Sequence, residues 1–234
     1  MTTISVIHNA GARIGHQVNN YFSVLGYCTE NNINFNYTEF LGNSQSWNNV
    51  LNFHQIYNTI NDDNQTLFDL NTEDILALVQ PRPKPQTLIS LYDQHRDKLF
   101  NRYYLKKSPY QSQNNICIHI RRGDVNNVNH PGRFLPISYY TKILSSIYQN
   151  QQVYVVSESN LEECSNDFKE YNTIILNSLS DIESFYYMVN SSIFIASKGG
   201  FSHLAHILGY SKCYYPQHWC VYRKDATAKL KTAL

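Results

Sequence analysis

The sequence predicts an α/β fold carried on a parallel sheet, and three observations predict it. Five short runs rich in Ile, Val, Tyr and Phe punctuate residues 116–215, alternating with helix-like stretches. Strands in alternation with helices mean right-handed crossovers and a doubly wound parallel sheet. Near the start, residues 3–8 read as a strand, 9–15 as a glycine-bearing loop and 17–31 as a helix, the opening of a βαβ unit. The strand over 116–120 ends in Arg121-Arg122-Gly123, so charged groups stand at a carboxyl edge, where open α/β sheets bind their ligands.

In chain order, the helix over 17–31 places Val18, Phe22, Leu25 and Cys28 near one face, and residues 34–38 form the second strand. Residues 42–74 are polar and aromatic with poor periodicity, predicting only short helices over 47–60 and 72–79. Pro81-Arg82-Pro83-Lys84-Pro85 predicts an extended surface connection, because proline cannot continue a helix. A helix over 91–105 follows, then a hinge over 106–115, dividing the chain into domains 1–110 and 111–234. Beyond the strand over 116–120 come a helix over 138–148, a strand over 153–156, a helix over 161–169 and a strand over 173–176. Ser180-Asp181-Ile182-Glu183 is a capping box that opens a helix running to 189. A strand over 192–196, a helix over 201–208 stopped by Gly209, and a strand over 212–215 complete the pattern.

Composition excludes several classes. At 234 residues the chain holds one large domain or two small Rossmann-like halves, and 42% hydrophobic against 16% charged residues is not a disordered composition. A net charge of +1 gives no global attraction to nucleic acid or an anionic membrane, so any phosphate affinity is local. Cys28, Cys117, Cys164, Cys213 and Cys220 are odd in number and form no Cys-x-x-Cys pair, which points to reduced thiols. There is no run of transmembrane length and no signal-like start, and the expectation is a cytoplasmic protein with no membrane span. His203 and His206, three apart, read as a packed helix face rather than a metal pair. No Asp-x-Asp pair is present, and no metal is expected.

The residues just after the strands carry the chemistry. Arg121 and Arg122 bear planar forks of donors that match phosphate oxygens two at a time. Gly123 turns the chain away from that spot. Ser157 comes after a second strand, and Ser197-Lys198-Gly199-Gly200 after a third. Gly199 and Gly200 let backbone N–H groups approach an anion at a helix amino end, and Ser197 and Ser202 add hydroxyl donors. Lys198 is a third cation or a solvated side chain. The expectation is a nucleotide diphosphate held between arginine on one side and a helix amino terminus on the other.

His119-Ile120-Arg121-Arg122-Gly123-Asp124 resembles the His-x-Arg-Arg-Gly-Asp signature of the α1,2-fucosyltransferases. More loosely, it is similar to motifs of the α1,6- and protein O-fucosyltransferases. Gly11-Ala12-Arg13-Ile14-Gly15-His16-Gln17 is similar to that superfamily's amino-terminal Gly-Arg-(Leu/Phe)-Gly-Asn-Gln loop, with His16 in place of asparagine. The stretch from Ser197 to Ala205 resembles Ser-x-Ser-x-Phe-Ser-x-x-Ala, with Gly199 in place of the middle serine. The resemblance implies an α/β fold of GT-B type, with two Rossmann-like domains facing a central cleft and the N-terminal one reduced. It implies transfer of fucose from GDP-fucose to a hydroxyl of a glycan acceptor, with inversion and without a metal. It carries Arg121 over as the essential arginine. His119 is carried over as a donor-site residue, and Asp181 sits where the family often has an acidic residue. Arg122, Ser157, Ser197, Gly200, Phe201 and Ser202 are donor-site candidates from their places after the strands and at the helix head, and Arg13 and Gly15 join them from the first loop.

Two residues keep alternatives. His16 is the candidate general base, histidine being suited to proton transfer near neutral pH, or it only hydrogen-bonds its own loop. Asp181 lies near the guanosine, or it only complements a helix dipole. The rival functions are a transferase for another GDP-sugar and an inactive relative that binds a nucleotide or glycan.

Overall fold

The computed structural model describes residues 3–6, 8, 10–51, 53, 83–101, 114–158, 162–216 and 229–230. The chain divides into two units, Met1–Tyr104 and Leu105–Leu234. In the first, β1 (Thr3–Ser5) pairs in parallel with β2 (Asn34–Asn36), and α1 (Ile14–Asn31) connects them. Both strands are shorter than the sequence predicts. Helix α1 begins three residues early, at Ile14, so Gly15 and His16 belong to its first turn. It ends at Asn32, whose φ of 53° is left-handed, a conformation asparagine tolerates.

The apolar face of α1 is largely aromatic. Tyr21 and Phe22 are buried with Phe35, Phe40, Phe53 and Tyr92, meeting in edge-to-face contacts such as the 4.8 Å pair Phe22–Tyr92. His95 of α3 (Pro85–Asn101) is buried in the same cluster; its Nδ1 donates to Leu91 O at 2.9 Å and its Nε2 accepts from Tyr21 Oη at 2.9 Å. Burial pushes this imidazole down to about 4. The structure corrects the start of α3, expected at 91. Pro85 occupies its first turn, where the missing N–H costs nothing. The proline-rich stretch is not all surface connection either. Pro83 is buried against Gly26 of α1, and Glu30 accepts from Lys84 N and Thr87 Oγ1, both at 2.6 Å. Of the helix expected over 47–60, α2 covers Trp47–Leu51; residues 54–60, the helix expected over 72–79 and most of the expected hinge lie outside the described residues.

The second unit is a parallel sheet with helices between its strands. Its strands are β3 (Asn115–His119), β4 (Gln152–Val156), β5 (Thr173–Leu176), β6 (Ile193–Ile195), β7 (Lys212–Pro216) and β8 (Lys229–Leu230), in the order β5-β4-β3-β6-β7-β8. Every pairing is parallel. The two-residue β8 exceeds the five strands expected from sequence. Among the described residues, four α-helices lie between them: α4 (Ile137–Ile147), α5 (Glu162–Phe168), α6 (Asp181–Asn190) and α7 (Gly200–Leu208). The order runs outward from β3 through β5 and then returns to place β6 on the other side of β3. Right-handed crossovers therefore set α4 and α5 on one face and α6 and α7 on the other.

The side-chain alternation of β3 agrees. Ile116, Ile118 and Ile120 pack with Tyr139, Tyr140, Ile143 and Leu144 of α4, Phe168 of α5 and Val153 and Val155 of β4. Cys117 and His119 face the opposite way, and all five residues of the strand are buried. Burying each such isoleucine contributes roughly 1.5–3 kcal/mol. That packing makes β3 a rigid base for the residues at its carboxyl end.

Candidate functional site at the carboxyl edge of the sheet

The reversal of strand order between β3 and β6 is the topological switch point of the sheet, where the chain segments leaving the two strands diverge and open a crevice. Registered pairs Ile116↔Ile193 and Ile118↔Ile195 carry the two carboxyl ends forward side by side. The segment leaving β3 supplies Arg121; the one leaving β6 supplies Ser197 to Gly200. Residues about eighty apart in sequence thus become neighbours. Arg121 Nη1 donates to Lys198 O at 3.3 Å. His119 Nδ1 lies 2.6 Å from Ser202 Oγ and 3.1 Å from Ser197 Oγ.

Arg121 is held as well as placed. Asp124 grips its side edge, accepting from Nε at 3.2 Å and from Nη2 at 2.7 Å. Of the five guanidinium N–H groups, three have protein partners; the other two, one on each η nitrogen, have none among the described residues. Each η nitrogen therefore keeps one N–H to offer a phosphate oxygen. Gly199 makes the placement possible. A Cβ there would fall 2.6 Å from Arg121 Nη1 and 3.3 Å from its Cδ, so the guanidinium lies across the space a side chain would fill. Gly199 is also the N-cap of α7. The arginine and the first-turn amides of that helix therefore share one corner.

His119 is 4% exposed, and burial, reinforced by the neighbouring Arg121 charge, pushes its imidazole down to about 3. It is neutral at any ordinary pH. Phe201, in the first turn of α7, meets its ring edge-on at 5.6 Å.

The remaining carboxyl-half residues separate by location. Arg122 turns away from Arg121. Its Nη1 donates to Arg121 O at 2.9 Å, its Nη2 to Leu135 O at 3.1 Å, and its guanidinium lies 4.4 Å over the Phe134 ring. This ties the two ends of the long segment between β3 and α4 together and leaves the fork facing protein. Gly123 has φ 72°, and a Cβ there would come within 3.1 Å of Glu158 Oε2, which brings the segment after β4 close to the arginine loop. Ser157 is buried, with its N–H bonded to Leu176 O at 3.3 Å. Asp181 is exposed at the start of α6 and accepts from Ile182 N at 2.9 Å; Ser180 and Glu183 form the expected capping box.

In the first unit, the glycine-bearing loop is pinned from beneath. Gln17 donates to Ala12 O at 2.8 Å and to Leu41 O at 3.1 Å, while accepting from Leu41 N at 3.1 Å. Ser44 Oγ donates to Ala12 O at 3.2 Å. Arg13 and His16 are exposed at the head of α1, with Gly15 buried between them. His16 N donates to Arg13 O at 2.9 Å. Sequence reasoning assigned no role to Asp124 or Gln17, although both stand inside the sequence motifs. Their signal was only their spacing from the groups they hold. No group of three or more metal-ligating side chains occurs among the described residues.

Fold and edge together define an α/β protein whose doubly wound parallel sheet carries a fixed arginine at its switch point. No protein-family model and no curated protein matches the chain. Among solved structures, POFUT1 in complex with GDP-fucose is 12% identical with a TM-score of 0.36, over 81% of this chain and 65% of that one. POFUT1 in complex with GDP is 11% identical with a TM-score of 0.36, over 92% of this chain and 73% of that one. The apo form gives 11% identity and a TM-score of 0.37. The chain thus spans 65% of the first of these structures, less than two thirds of its length. No helix among the described residues is long and apolar enough to cross a membrane.

Proposed function

We propose that the chain transfers fucose from GDP-fucose to a hydroxyl of a glycan acceptor, with inversion and without a metal. The observation that carries this reading is the seating of Arg121 across Gly199, at the head of α7 and at the switch point of the sheet. Three motifs in chain order support it: Gly11 to Gln17, His119 to Asp124 and Ser197 to Ala205.

In this reading the diphosphate lies between the η edge of Arg121 and the amides of Gly200, Phe201 and Ser202, where the helix dipole favours negative charge. As the bond from the fucose anomeric carbon to the β-phosphate oxygen breaks, charge grows on that phosphate and the sugar becomes oxocarbenium-like. Arg121, already fixed by Asp124, stabilises the growing charge without reorganising, and the barrier falls. The acceptor hydroxyl attacks from the opposite face and surrenders its proton. His16 is the proposed base, and Arg13 and Gly15 of the same loop are proposed donor-site residues. Asp181 keeps its proposed place near the guanosine.

Purified protein incubated with GDP-fucose is expected to release GDP, by slow hydrolysis alone or faster with acceptor. Arg121→Ala is expected to lower that rate on the order of 10²–10³-fold, the usual effect of removing one donor to a developing anion. Undiminished turnover in the variant overturns the role of Arg121. Tight GDP binding with no release from GDP-fucose establishes the inactive, nucleotide-binding alternative instead.

A further inference from the structure

Behind the arginine edge, three buried side chains form a closed triangle. Ser197 Oγ lies 2.9 Å from Ser202 Oγ, Ser202 Oγ 2.6 Å from His119 Nδ1, and Ser197 Oγ 3.1 Å from the same nitrogen. Ser202 Oγ also accepts from Ser197 N at 3.1 Å. Each hydroxyl brings one proton, and a neutral imidazole brings one on either nitrogen.

Counting protons decides between the tautomers. If Nδ1 carried the proton, it would donate to one hydroxyl oxygen. The two hydroxyl protons would then compete for the one remaining acceptor contact, the one between the serines, and one buried proton would have no acceptor. If Nδ1 is bare, Ser202 donates to it along the shortest edge, and Ser197 donates to Ser202. Every proton in the triangle then has an acceptor, and Ser202 Oγ uses both lone pairs. The imidazole proton sits on Nε2, for which no described residue is a partner.

We infer that Ser197 and Ser202 are positioning residues that lock His119 as the neutral Nε2–H tautomer, which meets a bound ligand beside Arg121 as a hydrogen-bond donor and never as a base. The ligand-facing half of this inference, in which Nε2–H reaches an oxygen of the nucleotide sugar, rests on the transferase reading above. Burial beside the Arg121 charge keeps the ring uncharged and preserves the tautomer lock. With Nδ1 occupied and Nε2 protonated, the imidazole offers a ligand a donor and no acceptor, which suits an oxygen.

The test is a long-range proton–nitrogen correlation spectrum of the whole chain labelled at histidine nitrogen, with His119→Gln assigning the signal. The expected wild-type pattern is a single Nε2–H tautomer, unchanged from about pH 5 to about pH 8. Ser202→Ala should give a mixture or the Nδ1–H form, and Ser202→Thr should restore the wild-type pattern. Ser202→Ala should also lower kcat/KM for GDP-fucose about tenfold, as when a hydrogen bond orienting a functional imidazole is lost, with Ser202→Thr largely spared. An Nδ1–H pattern in the wild type overturns the inference. So does a Ser202→Ala spectrum identical to wild type. GDP that binds, seen as a raised Tm, should move the Nε2 resonance; binding that leaves it unmoved overturns the ligand-facing half. If GDP does not bind at all, the transferase reading fails, while the wild-type and Ser202→Ala spectra still decide the tautomer.

Discussion

Gly199 shows how one missing side chain sets a site. Its φ of −177° is ordinary extended backbone, so alanine fits the main chain there, and the cost of a Cβ falls on Arg121 instead. Gly199→Ala is therefore expected to fold with nearly unchanged Tm yet lose turnover on the order of 10²-fold, because displacement of a charge-stabilising group by about 1 Å costs that much. A steady-state assay beside a thermal melt checks it; wild-type turnover would mean that Arg121 acts from another position. The neighbouring arginines teach a related lesson. In the sequence, the resemblance singles out Arg121 as the essential arginine and keeps Arg122 as a second donor-site residue. In the fold, Arg121 lies on Gly199 while Arg122 stacks on Phe134 and binds Leu135 O. Consecutive side chains leaving a strand point to opposite sides, so two adjacent guanidiniums do not readily share one phosphate. The resemblance ranked the pair; the partners on other segments show what each guanidinium holds.

At the scale of the element, the second unit was legible because its signals are local. Continuous apolar runs mark strands buried on both faces, and β5 spans the expected residues, Thr173–Leu176. The capping box at Ser180 is equally local: Glu183 N donates to Ser180 Oγ at 3.2 Å, and Ser180 N donates to Glu183 Oε2 at 2.9 Å. Ser180→Ala should cost about 1 kcal/mol, the usual value of an N-cap. In a chain of this size that is roughly 2–4 °C in Tm, measurable by thermal denaturation, and an unchanged melt would show that α6 does not depend on its cap. The first unit was less legible for the same reason. The prolines before α3 resemble a breaker, and only the contacts of Pro83 with Gly26 and of Glu30 with Lys84 and Thr87 make them the docked start of a helix. The two-residue β8 has too short a pattern to recognise and exists through its pairing with Tyr215 and Pro216.

For the whole molecule, two buried histidines make stability depend on pH. His95 is pushed down to about 4 and His119 to about 3, both below the ordinary histidine value of 6.5. As pH falls, the unfolded chain takes up protons that the folded chain refuses. Stability is therefore highest above about pH 6.5 and declines below it, levelling only near the folded values. Each histidine contributes a slope of up to about 1.4 kcal/mol per pH unit within its window. Urea midpoints should hold level from about pH 8 to about pH 6.5 and then fall down to about pH 5; a flat series throughout would mean that these imidazoles are hydrated and protonated in the native state. Under the proposed function, GDP in hundredfold excess over its Kd should stabilise the protein by about 2.7 kcal/mol, and EDTA should leave both that shift and turnover unchanged. Loss of binding in EDTA would end the metal-free reading.

What the sequence by itself determined are the features written in neighbouring residues: alternating strands and helices, the capping box, and arginines and glycines placed just after strands. Period and capping are properties of a few consecutive residues, so they survive without knowledge of the fold. Only the tertiary structure decided that β6 returns beside β3, and with it which groups meet at the switch point. It also decided that Arg122 binds Leu135 O across its own loop, and that two serines from the segment after β6 and the head of α7 govern a histidine on β3. The physical reason is range. Strand order and side-chain hydrogen bonds between residues about eighty apart depend on how the sheet assembles, and no local pattern in the chain records that.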